Sequence, residues 1–587
     1  MLYRELVRVY EALESTTSRL EMTDILANFF KEADCFSLRK IIYLTQGQLY
    51  PDFYPQKLGI ADKLLLKAIS FTSGVKEQMI QNLLLKEGDP GNVAQKVFQG
   101  KKQTTLFSTP LTLERVYDNL RKIAEAEGSG SQDLKIKMLA DILHDATPVE
   151  SKYIARIVTG KMRLGVADMT VLDALAQAFA GKEEKDVIER AFNITSDLGL
   201  VGEILCREGV EALRKIGVSV GNPIRAMLAE RLSSPEEILE KMGGRCAFEY
   251  KYDGVRVQAH IDSQKRIRLF SRRLEDITDQ FPDVVNALRE AFASKDAIIE
   301  GECVPVDINT GEMLPFQEVS HRRGRKYDLS VAIEDYPVRT FLFDCLYLDG
   351  VDLTESPFLE RRKALEKCIK PSEDVRLSEI KILDRVEDVE RFFEEALKDG
   401  CEGLMAKSIG EDSIYRAGAR GFLWIKYKKE YRSEMSDTVD LVVVGAFAGR
   451  GRRKGVYGAL LMATYNDKED TFETVCKLGS GFDDATLAAL PSMLEPYKLQ
   501  IIHPKVRSKL EADYWFEPAI VMEVLGSEIT LSPTHTCSYS LIKKDAGFAI
   551  RFPRFTGRFR SDKDPREATT SVELAEMYKR QLKKIEE

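Results

Sequence analysis

No stretch of this sequence stays apolar long enough to cross a bilayer as a helix. Its opening residues, Met1-Leu2-Tyr3-Arg4-Glu5-Leu6, are amphipathic with an early acid, which argues against a signal peptide. Tryptophan is limited to two residues and histidine to five. His144, His260, His321, His503 and His535 lie far apart and read as structural or surface residues, not metal ligands. The nine cysteines include no Cys-x-x-Cys pair, so neither a zinc ribbon nor a disulfide framework is indicated. A reducing, intracellular setting is the expectation. Internal repeats and long low-complexity tracts are also missing. So is an excess of basic charge: the net charge of −8 speaks mildly against a nucleic-acid partner.

What is there changes that last reading. The basic residues cluster in Arg322-Arg323-Gly324-Arg325-Lys326, in Arg450-Gly451-Arg452-Arg453-Lys454, and from Arg551 through Arg554, Arg558 and Arg560 to Lys563. Binding depends on local patches, so such clusters on an acidic chain leave a charge-steered phosphate partner open. At 587 residues the chain is too long for one core; roughly three or four domains is the starting estimate. A composition of 44% hydrophobic and 31% charged residues is that of a globular chain. Many Lys, Arg and Glu beside few Gln point to a thermophilic source.

Residues 1–220 read as mostly helical. Leu2, Leu6, Val9 and Leu13 recur at helical spacing, as do Leu113, Val116, Leu120 and Ile123 behind an N-cap at Thr112. Gly128-Ser129-Gly130-Ser131 interrupts the pattern, and Gly221-Asn222-Pro223 marks a boundary. Residues 221–430 read as α+β. Val255, Val257, Ala259 and Ile261 alternate with Arg256, Gln258 and His260 as a half-buried strand, and Val386 to Leu397 is helix-like. Glu430 to Asp437 looks like a linker. In 431–587, short strands at Leu441–Val444, Ala459–Tyr465, Phe472–Leu478 and Ile520–Leu525 predict a small β-barrel, with a helix over Val572–Ile585.

Candidate chemistry centres on Lys251, in Phe248-Glu249-Tyr250-Lys251-Tyr252-Asp253-Gly254. An apolar strand ends at this lysine and Asp253-Gly254 turns the chain back, so the side chain projects into a cleft. Its amine attacks only when neutral, which nearby cations or a metal favour. Lys-x-Asp-Gly arises by chance in about one chain in seven of this size, so a surface lysine on a hairpin is the plain alternative. Further along, Ile298-Ile299-Glu300-Gly301-Glu302 carries two acids on one strand face, costly unless a cation meets them, with an exposed sheet face as the plain alternative. Phe341, Phe343 and Tyr347 share a face in Phe341-Leu342-Phe343-Asp344-Cys345-Leu346-Tyr347; they are either core or, at Phe343, a ring for stacking on a heterocycle. Glu402-Gly403-Leu404-Met405-Ala406-Lys407 offers another metal carboxylate. Trp424-Ile425-Lys426-Tyr427-Lys428 places two lysines on one face, which suits a phosphate, with Arg420 just upstream.

In this order, together with Ser271-Arg272-Arg273, these segments resemble the covalent nucleotidyltransferases: DNA ligases, RNA ligases and mRNA capping enzymes. Two stretches outside that core resemble the ATP-dependent DNA ligases of archaeal and eukaryotic replicative type. Tyr153-Ile154-Ala155-Arg156 through Gly160-Lys161-Met162-Arg163-Leu164-Gly165-Val166-Ala167 is similar to their helical DNA-binding domain. Arg551-Phe552-Pro553-Arg554-Phe555 through Arg560-Ser561-Asp562-Lys563 is similar to the last motif of their OB-fold domain.

The resemblance implies that Lys251 carries AMP, that Glu249 contacts the adenine amine and that Phe343 stacks on the base. Arg256, Arg272 and Glu302 would hold ribose and phosphates, and Arg420, Lys426 and Lys428 the α-phosphate. Glu302 and Glu402 would approach Mg²⁺, or Mn²⁺ in its place. Arg560, Asp562 and Lys563 would orient the leaving pyrophosphate, and Arg156, Lys161 and Arg163 would contact DNA. Glu300 departs from the Asp common in the family, which puts its role in doubt. The implied activity is the sealing of nicks in duplex DNA, in replication, repair and recombination, by a monomer with a sliding clamp as a further partner. Gln103-Thr104-Thr105-Leu106-Phe107 is a loose candidate for that contact. An RNA ligase or capping enzyme would share the lysine core but not the helical segment. An NAD-dependent ligase would need the missing zinc cysteines. A non-catalytic DNA clamp would have lost active-site residues, yet none is missing.

Overall fold

Helical periodicity governs the chain from Tyr3 to Arg214, where thirteen α-helices follow one another among the described residues. The computed structural model describes residues 1–583 except 57, 101–108, 129, 307–312, 315, 317–321, 323–335, 429–437, 450–452, 454, 527 and 552. The chain divides into two compact units, Met1–Val75 with Ala94–Lys428, and Lys76–Val93 with Lys429–Glu587. In the helix Tyr3–Glu14 the buried stripe is Tyr3, Leu6, Val7, Tyr10 and Leu13. Leu2 and Val9 are displaced from the expected stripe, because Leu2 serves as the N-cap and the rings of Tyr3 and Tyr10 fill the core face. Thr112 caps the helix Leu113–Glu125 as expected, its hydroxyl accepting from the Arg115 amide.

One cysteine pair corrects the sequence reading. Cys35 and Cys206 form a disulfide across a sequence separation of 171 residues. Cys35 opens the helix Cys35–Thr45 and Cys206 lies near the end of the helix Leu198–Glu208. These helices approach closely because Gly199 and Gly202 face Tyr43 and Ile42; a Cβ would come within 2.5 Å of Tyr43 and 2.4 Å of Ile42. No local spacing motif announces a pair that only folding brings together. The other seven cysteines are free and buried. Replacing both bridged cysteines with serine is expected to cost about 2–5 kcal/mol. Thermal unfolding checks this: dithiothreitol should lower Tm in the parent and leave the double variant unmoved.

From Leu228 onward strands dominate. In chain order they are β1 (Leu228–Arg231), β2 (Cys246–Lys251), β3 (Val255–Ile261), β4 (Ile267–Ser271), β5 (Ala297–Pro305), β6 (Val338–Leu348), β7 (Val351–Asp352), β8 (Val375–Leu377), β9 (Ile380–Leu383), β10 (Gly403–Lys407) and β11 (Arg420–Lys428). They form two sheets, ordered β1-β11-β10-β2-β9 and β4-β3-β5-β6-β7, with β8 on β6. The helix Val386–Lys398 buries Val389, Phe392, Phe393 and Ala396 against the first sheet.

The β3 alternation is real, but the half-buried expectation fails, since Gln258 and His260 are buried too. Their polar groups are satisfied internally. The Gly221 amide donates to His260 Nδ1 at 2.9 Å, and Gln258 pairs with both the amide and the carbonyl of Ile224, at 2.8 and 3.1 Å. Register shifts in β5 against β6 also matter. Leu342 faces Gly301 and Asp344 faces Glu300, so Phe343 bulges between them. A bulge re-aims a side chain. Phe341 stacks on Tyr252 in the core at 4.1 Å, whereas Phe343 stays partly open.

In the C-terminal part, Val439–Ala448, Tyr457–Asn466 and Thr471–Leu478 run antiparallel in sequence. Val439–Ala448 also pairs with Val521–Leu525, which pairs with Arg554–Phe559. Leu441, Val443, Met462, Leu478, Met522 and Phe555 fill this β-rich core, and Leu574 and Ala575 of the helix Ser571–Lys583 cover it. The expected linker at 430–437 lies outside the described residues.

Candidate active site

Lys251 ends β2, and the turn that follows requires glycine: a Cβ on Gly254 would lie 2.3 Å from the Cys303 carbonyl oxygen. Across the sheet, Gly403 pairs with Lys251 on one side and Lys428 on the other. Gly403 adopts φ +146°, and a Cβ there would meet the Tyr427 carbonyl at 2.2 Å. A glycine between the lysines leaves the space above it empty of side chain. Glu402, just before β10, reaches into that space. Its Oε2 lies 2.5 Å from Lys251 Nζ and 2.7 Å from Lys428 Nζ.

The charges tune one another. Burial alone would raise Glu402, but the ammonium groups of Lys251 and Lys428 bring it below the usual carboxylate range. Glu302 is pushed up to about 7, chiefly by burial, with Glu402 and Asp253 adding to the rise against Lys251 and Arg256. Asp253 is pushed up to about 6 by burial and by Glu402. Lys426 is lowered by burial and then by Lys428, Arg420, Lys251 and Arg272, which places those four cations in one field. Glu300, by contrast, is buried and spoken for. It accepts from Arg256 at 2.7 Å, from the Tyr415 hydroxyl at 2.9 Å and from Gln258 at 3.3 Å.

At the other end of the same face lies an aromatic floor. Phe343 meets Trp424 edge-on at 6.3 Å between centroids, with the Arg256 guanidinium 5.4 Å from its ring. Glu249, two residues before Lys251 on the same face, is buried against Lys407 Nζ at 2.6 Å and Arg362 at 3.4 Å. Lys407, Arg361, Arg362, Asp344 and Tyr415 were not singled out from the sequence. Lys407 closes a segment that was noted, but adjacent arginines on a helix, here Phe358–Cys368, read as surface. Phe343→Ala is expected to weaken ATP binding by about 1–3 kcal/mol, the scale of base–aromatic stacking, and nick binding far less. Equal losses in paired titrations would make Phe343 core.

Among the described residues no group of three His, Cys, Asp or Glu side chains closes on one metal position. Glu302, Glu402 and Asp253 nonetheless gather oxygen donors whose mutual repulsion a hard cation would relieve. That set fits Mg²⁺, which binds through one or two carboxylates plus substrate phosphates.

In the C-terminal unit Arg560 binds Asp562 through paired contacts of 3.0 and 2.8 Å, and both Arg560 and Lys563 bind Asp440 at 2.7 Å. The helical segment is mixed. Lys161 is exposed, 4.0 Å from Asp62, and Arg163 adopts a left-handed φ of 57°. Arg156, which the resemblance names as a DNA contact, is turned inward. It is 3% exposed, and its guanidinium is held by Glu14 at 2.6 Å and by the Met162 carbonyl at 3.3 Å, so it braces the loop that carries Lys161 and Arg163. The basic clusters are likewise not all surface. Arg322 is fully buried on Asp283, and Arg453 donates to the carbonyls of Gly458 and Gly479. Residues 103–107 lie outside the described residues.

Two sheets meeting at a lysine-rich face, with helices before and a β-rich domain after, define a multidomain nucleotide-transferring enzyme. Comparison with known proteins narrows the class. Residues 2–176 match the DNA ligase N terminus, 226–428 the ATP dependent DNA ligase domain and 453–563 the ATP dependent DNA ligase C terminal region. DNA ligase 2 of Thermofilum pendens is 53% identical over 99% of this chain and 98% of its own. The DNA ligases of Sulfophobococcus zilligii (52%, over 99% and 97%) and Saccharolobus solfataricus (48%, over 100% and 98%) are similar throughout. The solved structure Pmar-Lig_Pre shares the fold over 95% of this chain and 99% of that one, at TM-score 0.55 and 18% identity. The chain belongs to the ATP-dependent DNA ligases of archaeal type. It binds ATP and seals nicks in DNA.

Proposed function

We propose that Lys251 is the nucleophile, and that the single observation carrying this is the Glu402 carboxylate shared by Lys251 and Lys428 above Gly403. An anion seated between two ammonium groups marks where an α-phosphate fits. Lys251 nitrogen attacks the α-phosphorus in line, an N–P bond forms, and the bond to pyrophosphate breaks. AMP then passes to the 5′-phosphate at the nick, and the 3′-hydroxyl displaces it. Lys426, Lys428 and Arg420 neutralise charge that grows on the α-phosphate. Arg256 and Arg272 hold the ribose side, Phe343 stacks on adenine and Glu249 faces its amine. Glu302 and Glu402 would hold Mg²⁺, with Mn²⁺ as a substitute; the ion supplies Lewis-acid neutralisation of the phosphates. Arg560, Asp562 and Lys563 orient pyrophosphate, and Lys161 and Arg163 bind DNA phosphates.

The proposed division is a helical DNA-binding domain over 1–220, an adenylation domain over 221–430 and an OB-fold domain over 431–587. No helix among the described residues is long and apolar enough to cross a membrane. The proposed setting is intracellular, with the chain acting as a monomer on nicked duplex DNA. A sliding clamp is a further proposed partner. The test is incubation with α-labelled ATP and Mg²⁺, denaturing electrophoresis and a chase with nicked duplex. The expected band discharges as the nick is sealed. A band that discharges only onto RNA ends would point to an RNA ligase; no band would mean either the wrong nucleotide, checked with GTP and NAD⁺, or a DNA clamp.

A further inference from the structure

We infer that Lys407 and Arg362 set which purine this enzyme accepts, by holding Glu249 as a carboxylate at the base end of the cleft. This rests on the reading above that seats the base beside Glu249 and Phe343. Glu249 is 2% exposed and Lys407 equally so. Each carboxylate oxygen has its own cation, Lys407 at 2.6 Å and Arg362 at 3.4 Å. Both cations are themselves fixed. Lys407 Nζ donates to the Phe343 carbonyl at 3.4 Å and sits 4.6 Å from the ring centres of Phe358 and Trp424. Arg362 donates to Glu366 at 2.9 Å and to the Ser378 carbonyl at 3.0 Å.

Burial works against both charges, pushing Glu249 up and Lys407 down, with Asp344 adding to the first effect and Arg361 to the second. The two cations oppose the rise at Glu249. Burial leaves Glu249 raised above the usual carboxylate range even beside both cations; the ion pairs at 2.6 and 3.4 Å favour the carboxylate, and losing one moves the acid further toward its neutral form. The two forms read different bases. A carboxylate only accepts hydrogen bonds, so it pairs with the exocyclic amine of adenine and repels the carbonyl that guanine presents at the same place. A neutral acid also donates, and its O–H can meet that carbonyl. Lys407 and Arg362 are thus positioning residues that act through Glu249.

The test follows single-turnover labelling of the full chain with Mg²⁺ and α-labelled ATP, GTP or purine riboside triphosphate, which lacks the exocyclic amine. The parent enzyme should prefer ATP to both by more than about a hundredfold. In Lys407→Met the preference for ATP over GTP should fall at least about tenfold, chiefly through KM. Arg362→Met should move it the same way by less. Glu249→Gln, which places a donor there while both cations remain, should relax selectivity too and covers the case in which Lys407→Met does not fold. Equal loss of ATP and GTP labelling in these variants would overturn the proposal and leave a structural role. If the parent used purine riboside triphosphate as readily as ATP, the seating of the base beside Glu249 would itself fail.

Discussion

Lys251→Ala should lose more than about a thousandfold in self-labelling with AMP, the scale on which removal of a nucleophile is felt, while nicked duplex still binds. The lysine side chain is 23% exposed and pairs with Glu402, which keeps Lys428 as a partner. The fold therefore loses little. The informative control is a nick already bearing a 5′-adenylate. Its sealing needs no lysyl bond, so the variant should retain a measurable fraction of that step. Continued labelling of Lys251→Ala with ATP would move the nucleophile elsewhere, with Lys428 the nearest candidate. Loss of nick binding in parallel would make the lysine a structural element of the DNA interface.

Arg361→Met should destabilise the protein by about 3–5 kcal/mol, the cost of leaving a buried charge without its partner. Arg361 and Asp344 are both fully buried and joined by two contacts, at 2.8 and 3.1 Å. The same guanidinium donates to the Ser356 and Ser413 carbonyls, at 2.7 and 2.8 Å. It thus ties β6, where Asp344 follows Phe343, to the loop that leads into β11. The double change Arg361→Met with Asp344→Leu should recover part of the loss, since no lone buried charge remains. Denaturant unfolding reads both. A single-variant cost below about 1 kcal/mol, the range of exposed pairs, would show that water reaches Asp344.

Much of the site was legible because its chemistry is local in sequence. Lys251 and Glu249 share a face by strand period, as do Lys426 and Lys428, and the segments that carry them could be read one at a time. The barrel strands were legible for a related reason: Leu441 to Val444 is a short continuous apolar run, and it is covered on both faces, Leu441 and Val443 in one cluster and Val442 and Val444 in another. What escaped was long-range. Cys35 meets Cys206 only because two glycines let helices close. Arg156 and Arg322 look like phosphate contacts until Glu14 and Asp283 arrive from distant segments. His260 and Gln258 look solvent-facing until Gly221 and Ile224 fold over them. Phe343 differs from Phe341 through a bulge that depends on the register of β5, which no single strand reveals.

β11 has a consequence for size as well as charge. Trp424, Lys426 and Lys428 share one face of one strand by its two-residue period, and four residues of strand span about 13 Å. The strand is a ruler with an aromatic mark at one end and a cationic mark at the other. In the proposed binding mode a base seated at the first mark brings its α-phosphorus to the second, beside Lys251. The enzyme then measures its substrate instead of merely attracting it. On that mode a bare polyphosphate would reach only the cationic end, and a nucleotide with a lengthened sugar linkage would overshoot it.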